Sequence, residues 1–393
     1  MTVKSQSHEP GGNKTRALPN AHYVDSTVHE HEKQRVLFAN WSGIGFEADV
    51  PHPGDVKPIH FMGMPLLLVR DHAGQIGVFQ NTCRHRGMIL IDEPTNIKRV
   101  IRCPYHSWCY GLDGALQATP HVGGPGHNSH DDVHLDELGL FRIASETFMG
   151  VVFANISGTA EAFDSAISSI KERWSDFNQP MFHGSDSSRE LDVECNWKLA
   201  VENYCESYHW PWIHPGLNSY SKLSDHYNID DHTDYSGQGT RVYRQLTSDA
   251  GDRFPDFNGI GKQWSEAAEY LSVFPNVLLG VHRDHCFAMI LEPISQNRTL
   301  EHLRLFYTEK AARDDRYREL RRDNLRLWSI VFNEDISVVE GMQRGRLGIH
   351  FDGGRFSPIM DSSTIVFHRW VASAFNRMPV SPSPGVHNIV DAR

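Results

Sequence analysis

The chain has 393 residues, 39% of them hydrophobic, 22% charged and 10% aromatic, which is the make-up of a globular protein with room for two or three domains and excludes a fibrous or disordered one. Its 49 acidic and 38 basic side chains leave a net charge of -11, which argues against nucleic acid or an anionic membrane surface as a partner. No apolar run reaches the ~18 residues a membrane span needs, and the first twenty residues hold no apolar core of a secretory signal, so a cytoplasmic protein is expected.

Residues 1–35 are rich in Ser, Asn, His, Gly and Pro without periodicity and read as a mobile N-terminal arm, with order beginning near Val36. From 36 to 156, short apolar runs at Pro65 to Arg70, Gln75 to Gln80, Arg99 to Arg102, Phe141 to Ile143 and Met149 to Asn155 are separated by Gly, Pro and Asp turns. That spacing predicts antiparallel strands and an all-β first domain. Gly43-Ile44-Gly45-Phe46-Glu47-Ala48 matches a degenerate dinucleotide fingerprint, but it runs into Pro51 and Pro53 where the motif needs a helix, so no nucleotide site is assigned to it.

The texture changes over 157–378, which reads as an α+β second domain. Helices are predicted from Glu161 through Trp174, around Trp197 to His209, and from Ala311 to about Arg346. A polar, loop-rich stretch runs from Asn218 to Gly261, and strands follow from Leu271 to Tyr307, where Leu303, Leu305 and Tyr307 alternate with polar neighbours. Residues 379–393, with Pro and Ser alternating, read as a C-terminal tail in loop conformation.

Six cysteines, at 83, 103, 109, 195, 205 and 286, are too few and too scattered for a disulfide scaffold and are candidates for metal ligands or buried thiols. Two stand in a pattern. Cys83-Arg84-His85 and Cys103-Pro104-Tyr105-His106 each place one thiolate and one imidazole on a loop after a predicted strand, with Gly87 and Pro104 suited to tight turns. Two Cys and two His can hold a structural zinc or a Rieske 2Fe-2S cluster, and the ligand count alone does not choose.

A second constellation lies in CNWKLAVENYCESYHWPWIHP. Glu206 and His209 are three apart on one predicted helical face with Asn203 a turn back, Pro211 is expected to end or kink that helix, and His214 returns from the following turn. Two histidines need one carboxylate to complete a facial triad for ferrous iron. On the late helix Trp328, Val331, Phe332, Asp335, Val338, Val339 and Met342 recur at three- and four-residue spacing, which puts Asp335 inside an apolar stripe where a carboxylate is costly unless paired or metal-bound. Glu334 faces away from the stripe and ranks second.

The wording NTCRHRG followed by CPYHSWCYGLDG resembles the Rieske domains of ring-hydroxylating and related non-haem iron oxygenases, and NEDISVVEGMQRG resembles the segment that supplies that family's third iron ligand. The resemblance runs from about Phe38 to about Gly348. Rieske proteins of quinol-oxidising complexes carry two further cysteines where this chain has Met88 and Tyr105, which points to the oxygenase or ferredoxin type, and the length of the remaining chain points to the oxygenase.

The resemblance implies an α subunit with an N-terminal all-β Rieske domain and a helix-grip-like catalytic domain whose curved antiparallel sheet is covered by helices. It implies a 2Fe-2S cluster on Cys83, His85, Cys103 and His106, mononuclear Fe(II) on His209, His214 and Asp335, and O2 as co-substrate. NAD(P)H would act only through a separate flavin or iron-sulfur reductase. It further implies a head-to-tail homotrimer in which an acidic residue at 206 bridges the iron-bound His209 to the neighbour's His106, with Asn203 beside the site. Most members have Asp where this chain has Glu206, and Glu there resembles members acting on carnitine and glycine betaine. Together with Tyr204, Tyr208, Trp210, Trp212 and Tyr220 crowding the motif, this favours a small N-methylated or quaternary ammonium substrate. An aromatic acid attacked by a ring-hydroxylating dioxygenase is the alternative, and a Rieske electron carrier without catalysis the remote one. His121, His127, His130 and His134 lack a ligand-like partner set and read as surface loop.

Overall fold

The computed structural model describes residues 15–249 and 251–377. The first domain is a seven-stranded antiparallel sheet in the spatial order Ser42–Phe46, Val151–Asn155, Arg142–Phe148, Ile76–Gln80, Met64–Arg70, Asp55–Phe61 and Thr95–Asn96. A small three-stranded sheet, Ile101–Arg102, Cys109–Tyr110 and Leu116–Ala118, stacks against it through a core that includes Leu67, Val69, Phe79, Trp108 and Tyr110. Four predicted strands fall on observed ones within a residue or two, because continuous apolar runs such as 66–69 and 151–154 are buried on both faces of the sheet. The exception is Phe141 to Ile143, whose strand extends to Phe148.

The second domain is another seven-stranded antiparallel sheet, ordered Phe182–Val193, Arg298–Tyr307, Cys286–Ser295, Val277–Val281, Ala268–Val273, Tyr235–Thr240 and His226–Ile229. Irregularities in register between His183 and Ser188, and between Pro293 and Ser295, interrupt its regular pleat. Leu303, Leu305 and Tyr307 are fully buried beneath the covering helices, as their alternation predicts. The principal cover is Arg318–Gly345, which packs on Phe182–Val193 and on the helix Trp197–Tyr204.

The strand Ser42–Phe46, source of the discarded fingerprint, ties the two domains together. The Gly43 N–H donates to Asn276 Oδ1 at 2.9 Å and Asn276 Nδ2 donates back to the Gly43 carbonyl at 2.9 Å. A Cβ at Gly43 would collide with Val277, so the glycine serves close approach of two sheets and not a phosphate.

Three expectations need correction, and one helix is additional to them. Residues 15–35 are not a mobile arm: Ala21–Val24 and Ser26–Glu32 are helical, Lys33–Leu37 forms a π turn, and Tyr23 is fully buried. The polar residues that suggested solvation pair inside the protein. Lys198 Nζ lies 2.7 Å from Glu32 Oε2 with both side chains 0% exposed, and Glu32 Oε1 meets His22 Nδ1 at 2.7 Å. Residues 1–14 and the expected tail at 379–393 lie outside the described residues.

The stretch from Asn218 to Gly261 is not all loop, since Tyr235–Thr240 is a fully buried inner strand. Its sequence, YSGQGT, hides that position because small and polar residues are dictated by crowding: a Cβ at Gly237 would strike the Tyr270 carbonyl, and one at Gly239 the Tyr227 ring. The predicted late helix is three pieces, Glu309–Arg313, the turn Asp315–Tyr317 and Arg318–Gly345, separated where the Asp314 side chain caps the Arg316 N–H. Finally, Ser362–Asn376 is a helix that buries Phe367, Trp370, Val371 and Ala374, a three- and four-residue periodicity present in the sequence. Among the described residues no helix is long and apolar enough to cross a membrane.

Candidate metal centres and the adjoining cavity

The Rieske-like loops are closed in the same way. Cys83 N–H donates to the Met88 carbonyl and Cys103 N–H to the Trp108 carbonyl, each at 2.8 Å, while Gly87 and Ser107 donate back to the two cysteine carbonyls at 3.0 Å. Gly87 (φ 75°) and Ser107 (φ 60°) occupy equivalent left-handed positions, so the second loop accepts with serine a conformation that the first gives to glycine. Cys83 and Cys103 are buried, whereas the imidazoles of His85 and His106 reach the loop tips with ring centroids 4.7 Å apart. Tyr110 fixes one sulfur, its hydroxyl 3.2 Å from Cys83 Sγ while it accepts the Arg84 N–H at 3.0 Å. His85 stacks on Trp108 at 4.8 Å.

Two observations fit a bound cluster. Burial pushes the Cys83 thiol up, so a thiolate there requires a compensating cation. His106 Nδ1 is buried without a hydrogen-bond partner, an orphan that a metal bond would satisfy.

The second site depends on a chain break. The helix Trp197–Tyr204, started by an Asn196 cap on the Lys198 N–H, stops before Glu206. The predicted continuous helix to His209 is therefore replaced by a turn in which the Glu206 carboxylate accepts the backbone N–H groups of Tyr208 and His209. Pro211 does not end a helix. It sits in the first turn of Trp210–Ile213, where a missing N–H is harmless.

The turn brings His209 and His214 together against the long helix. Their Nε2 atoms are 3.1 Å apart, and Asp335 Oδ1 lies 3.1 Å from His214 Nε2 and 3.6 Å from His209 Nε2. Each outer ring nitrogen faces a carboxylate: His209 Nδ1 is 2.7 Å from Glu206 Oε1, and His214 Nδ1 is 2.8 Å from Glu334 Oε2. Those contacts fix Nδ1–H on both rings and leave both Nε2 lone pairs turned towards Asp335. Three acceptors facing one point repel one another unless a cation stands between them, and Asp335 Oδ1 is a buried oxygen with no hydrogen-bond partner. The set fits a two-histidine, one-carboxylate iron site. Burial opposes protonation of His214, but the neighbouring Asp335 and Glu334 carboxylates outweigh it and raise its pKa.

Glu334 was expected to face away from the site. Its backbone does sit on the flank of the stripe, yet its longer side chain reaches His214, so it orients a ligand. That contact was missed because helical-face reasoning places Cα atoms and takes no account of side-chain reach.

A cavity of about 580 Å³ opens beside the triad and is lined by Asn203, Tyr204, Trp210, Tyr220, Tyr243, Tyr270 and Trp328 among others. Tyr208 and Trp212, expected at the substrate, do not line it. They stand 42% and 70% exposed, packed edge to face with ring centroids 5.9 Å apart. The sequence also gave no sign of the wall's buried polar cluster. Asp284 Oδ1 accepts from Tyr243 OH at 2.8 Å and from His285 Nδ1–H at 2.9 Å, and His285 Nε2 accepts the Trp328 indole N–H at 2.9 Å. A larger cavity of about 720 Å³, bordered by Trp41, Phe163, Phe274 and Trp370, holds none of the ligand residues, so chemistry and not size assigns the site. His121, His127, His130 and His134 are exposed.

Both domains have known relatives. Residues 40–134 match the Rieske 2Fe-2S domain family and residues 183–376 the family described as ring hydroxylating alpha subunit (catalytic domain). The carnitine monooxygenase oxygenase subunit of Acinetobacter pittii is 25% identical over 334 residues, 84% of each chain. The large oxygenase component of salicylate 5-hydroxylase from Ralstonia sp is 30% identical over 222 residues, 54% of this chain and 52% of that one. The crystal structure of a quaternary ammonium Rieske monooxygenase in complex with L-carnitine shares the fold, with a TM-score of 0.73 at 22% identity, covering 92% of this chain and 97% of that one. The chain thus belongs to the Rieske non-haem iron oxygenases, as an oxygenase α subunit that joins a 2Fe-2S domain to a mononuclear iron catalytic domain.

Proposed function

We propose that this oxygenase acts on a small N-methylated or quaternary ammonium compound. The observation that carries the reading is the cavity wall: Tyr243, Tyr270 and Trp328 offer aromatic faces, and the buried Asp284 carboxylate stands behind Tyr243 and His285. Aromatic faces attract a cation that has no N–H to donate, and a carboxylate behind them deepens the negative potential. The A. pittii relative named for carnitine supports the same direction.

When bound, the iron and the 2Fe-2S cluster supply oxygen activation and single-electron delivery. The balanced reaction takes O2, two electrons and two protons, places one oxygen on a carbon attached to nitrogen and releases the other as water. The resulting carbinolamine collapses to an amine and an aldehyde. The residues of this chain hold that reaction in place. His209, His214 and Asp335 ligate iron, Glu206 and Glu334 hold the protons on the outer histidine nitrogens, and the aromatic wall keeps water from the reacting carbon.

Electron entry is assigned to a neighbouring copy in a head-to-tail trimer. Glu206 links His209 to the neighbour's His106, and the exposed Tyr208 and Trp212 beside Glu206, together with the exposed Tyr105 beside His106, supply apolar surface for the contact. Oxygen uptake with a surrogate reductase tests the substrate reading. Betaines are expected to stimulate uptake and yield aldehyde or formaldehyde. Diols from aromatic acids with no response to betaines would replace it with the ring-hydroxylating alternative.

A further inference from the structure

Among the described residues the cavity lining holds one cation without an ion-pair partner. Arg244 is the only Arg or Lys in its lining, and its guanidinium carbon lies 5.1 Å from the centroid of the Tyr220 ring. Among the described residues no carboxylate stands within ion-pair distance of it. Arg244 is itself exposed, and it differs from the half-buried Arg173, clamped by Glu269 at 2.8 Å, and Arg304, which has Asp49, in having no carboxylate beside it. Among the described residues the Tyr220 hydroxyl likewise has no hydrogen-bond partner, and burial raises its pKa against the opposing pull of Arg244, so it remains a protonated donor.

The segment bearing Arg244 is held in advance. Tyr243 N–H donates to the Glu266 carbonyl at 2.6 Å and Gln245 Nε2 to the Phe254 carbonyl at 2.7 Å, which pins the residues on either side. The Tyr243 hydroxyl is tied to Asp284. Arg244 is thus carried on a held segment with its guanidinium over an aromatic ring, and the cavity carboxylates, Glu334 and Asp335, are committed to the triad.

We infer that Arg244, with the Tyr220 hydroxyl, is a specificity-determining residue that binds a carboxylate of the substrate, so that the preferred substrates are small carboxylates. This rests on the assignment of the triad cavity as the substrate site. Combined with the cation reading it names the class as trimethylammonium carboxylates, with the charges at opposite ends. A guanidinium recognises a carboxylate by two parallel hydrogen bonds, and an alcohol of the same shape cannot supply the second charge.

The test uses two matched pairs with the holoenzyme and a surrogate reductase: γ-butyrobetaine against choline, and salicylate against phenol. In each pair one member carries the carboxylate and the other does not. Wild type should prefer the carboxylate member. Arg244→Gln should raise KM for that member about 10- to 100-fold, with a much smaller change for its partner and little change in kcat, and Arg244→Lys should recover part of the loss. An unchanged Rieske spectrum shows that the variants fold. Equal KM changes within a pair, or a wild-type preference for choline or phenol, would overturn the anchor. If only the aromatic pair is turned over, the ammonium reading fails while the Arg244 comparison still stands or falls on salicylate against phenol.

Discussion

Glu334 offers the sharpest separation between holding iron and orienting a ligand. His214 is almost wholly buried, and its Nδ1–H has a single acceptor, Glu334 Oε2 at 2.8 Å. Glu334→Ala leaves that N–H unpaired in a buried place, at a cost of ~1–3 kcal/mol, and frees the ring to take the tautomer that turns its proton on the metal side. Loss of such an outer contact lowers metal affinity about 10- to 100-fold. Glu334→Gln keeps a neutral acceptor and should fall between the two, while Asp335→Ala removes a ligand and should lose more than either. The assay is anaerobic Fe(II) titration with the Rieske absorbance as internal control, which should not change. Wild-type iron affinity in Glu334→Ala would refute the orienting role. Retained affinity in Asp335→Ala, alongside its loss in Glu334→Ala, would make Glu334 the ligand.

Cys103→Ala should abolish the visible absorbance of the cluster yet leave Fe(II) binding at the second site, which a parallel absorbance and iron titration reads. Glu206→Gln should keep both metal centres and reduce normally at the cluster but transfer electrons to the iron slowly or not at all. A pre-reduced variant that oxidises its cluster at the wild-type rate with substrate and oxygen present would show that Glu206 is not the bridge. Lys198→Met leaves the fully buried Glu32 carboxylate with only His22 beside it and should cost ~3–5 kcal/mol in denaturant unfolding. Loss of less than ~1 kcal/mol would mean that the pair is replaceable by packing.

The candidate ligands were legible because metal chemistry restricts residue type and spacing more tightly than packing does. Cys83, His85, Cys103 and His106 sit on loops whose turns are written in Gly87 and Pro104, and Asp335 stood out as a charge within an apolar stripe. What stayed hidden depends on contacts between distant segments. Tyr235–Thr240 is buried for its small size, and Glu32 is buried because Lys198 waits for it 166 residues away. The cavity wall adds Tyr243, Tyr270, His282, His285 and Trp328, on four different segments, to Tyr204, Trp210 and Tyr220, which stand near the iron motif in sequence. Tyr208 and Trp212 flank His209 in the chain and point outward.

The claim that one chain holds two distinct iron centres is tested most directly by iron and acid-labile sulfide analysis of anaerobically prepared wild type and Asp335→Ala. The account predicts three irons and two sulfides per chain in the wild type, and two irons with two sulfides and an intact Rieske spectrum in the variant. Stoichiometric zinc without sulfide, or the same iron content in both proteins, would contradict it.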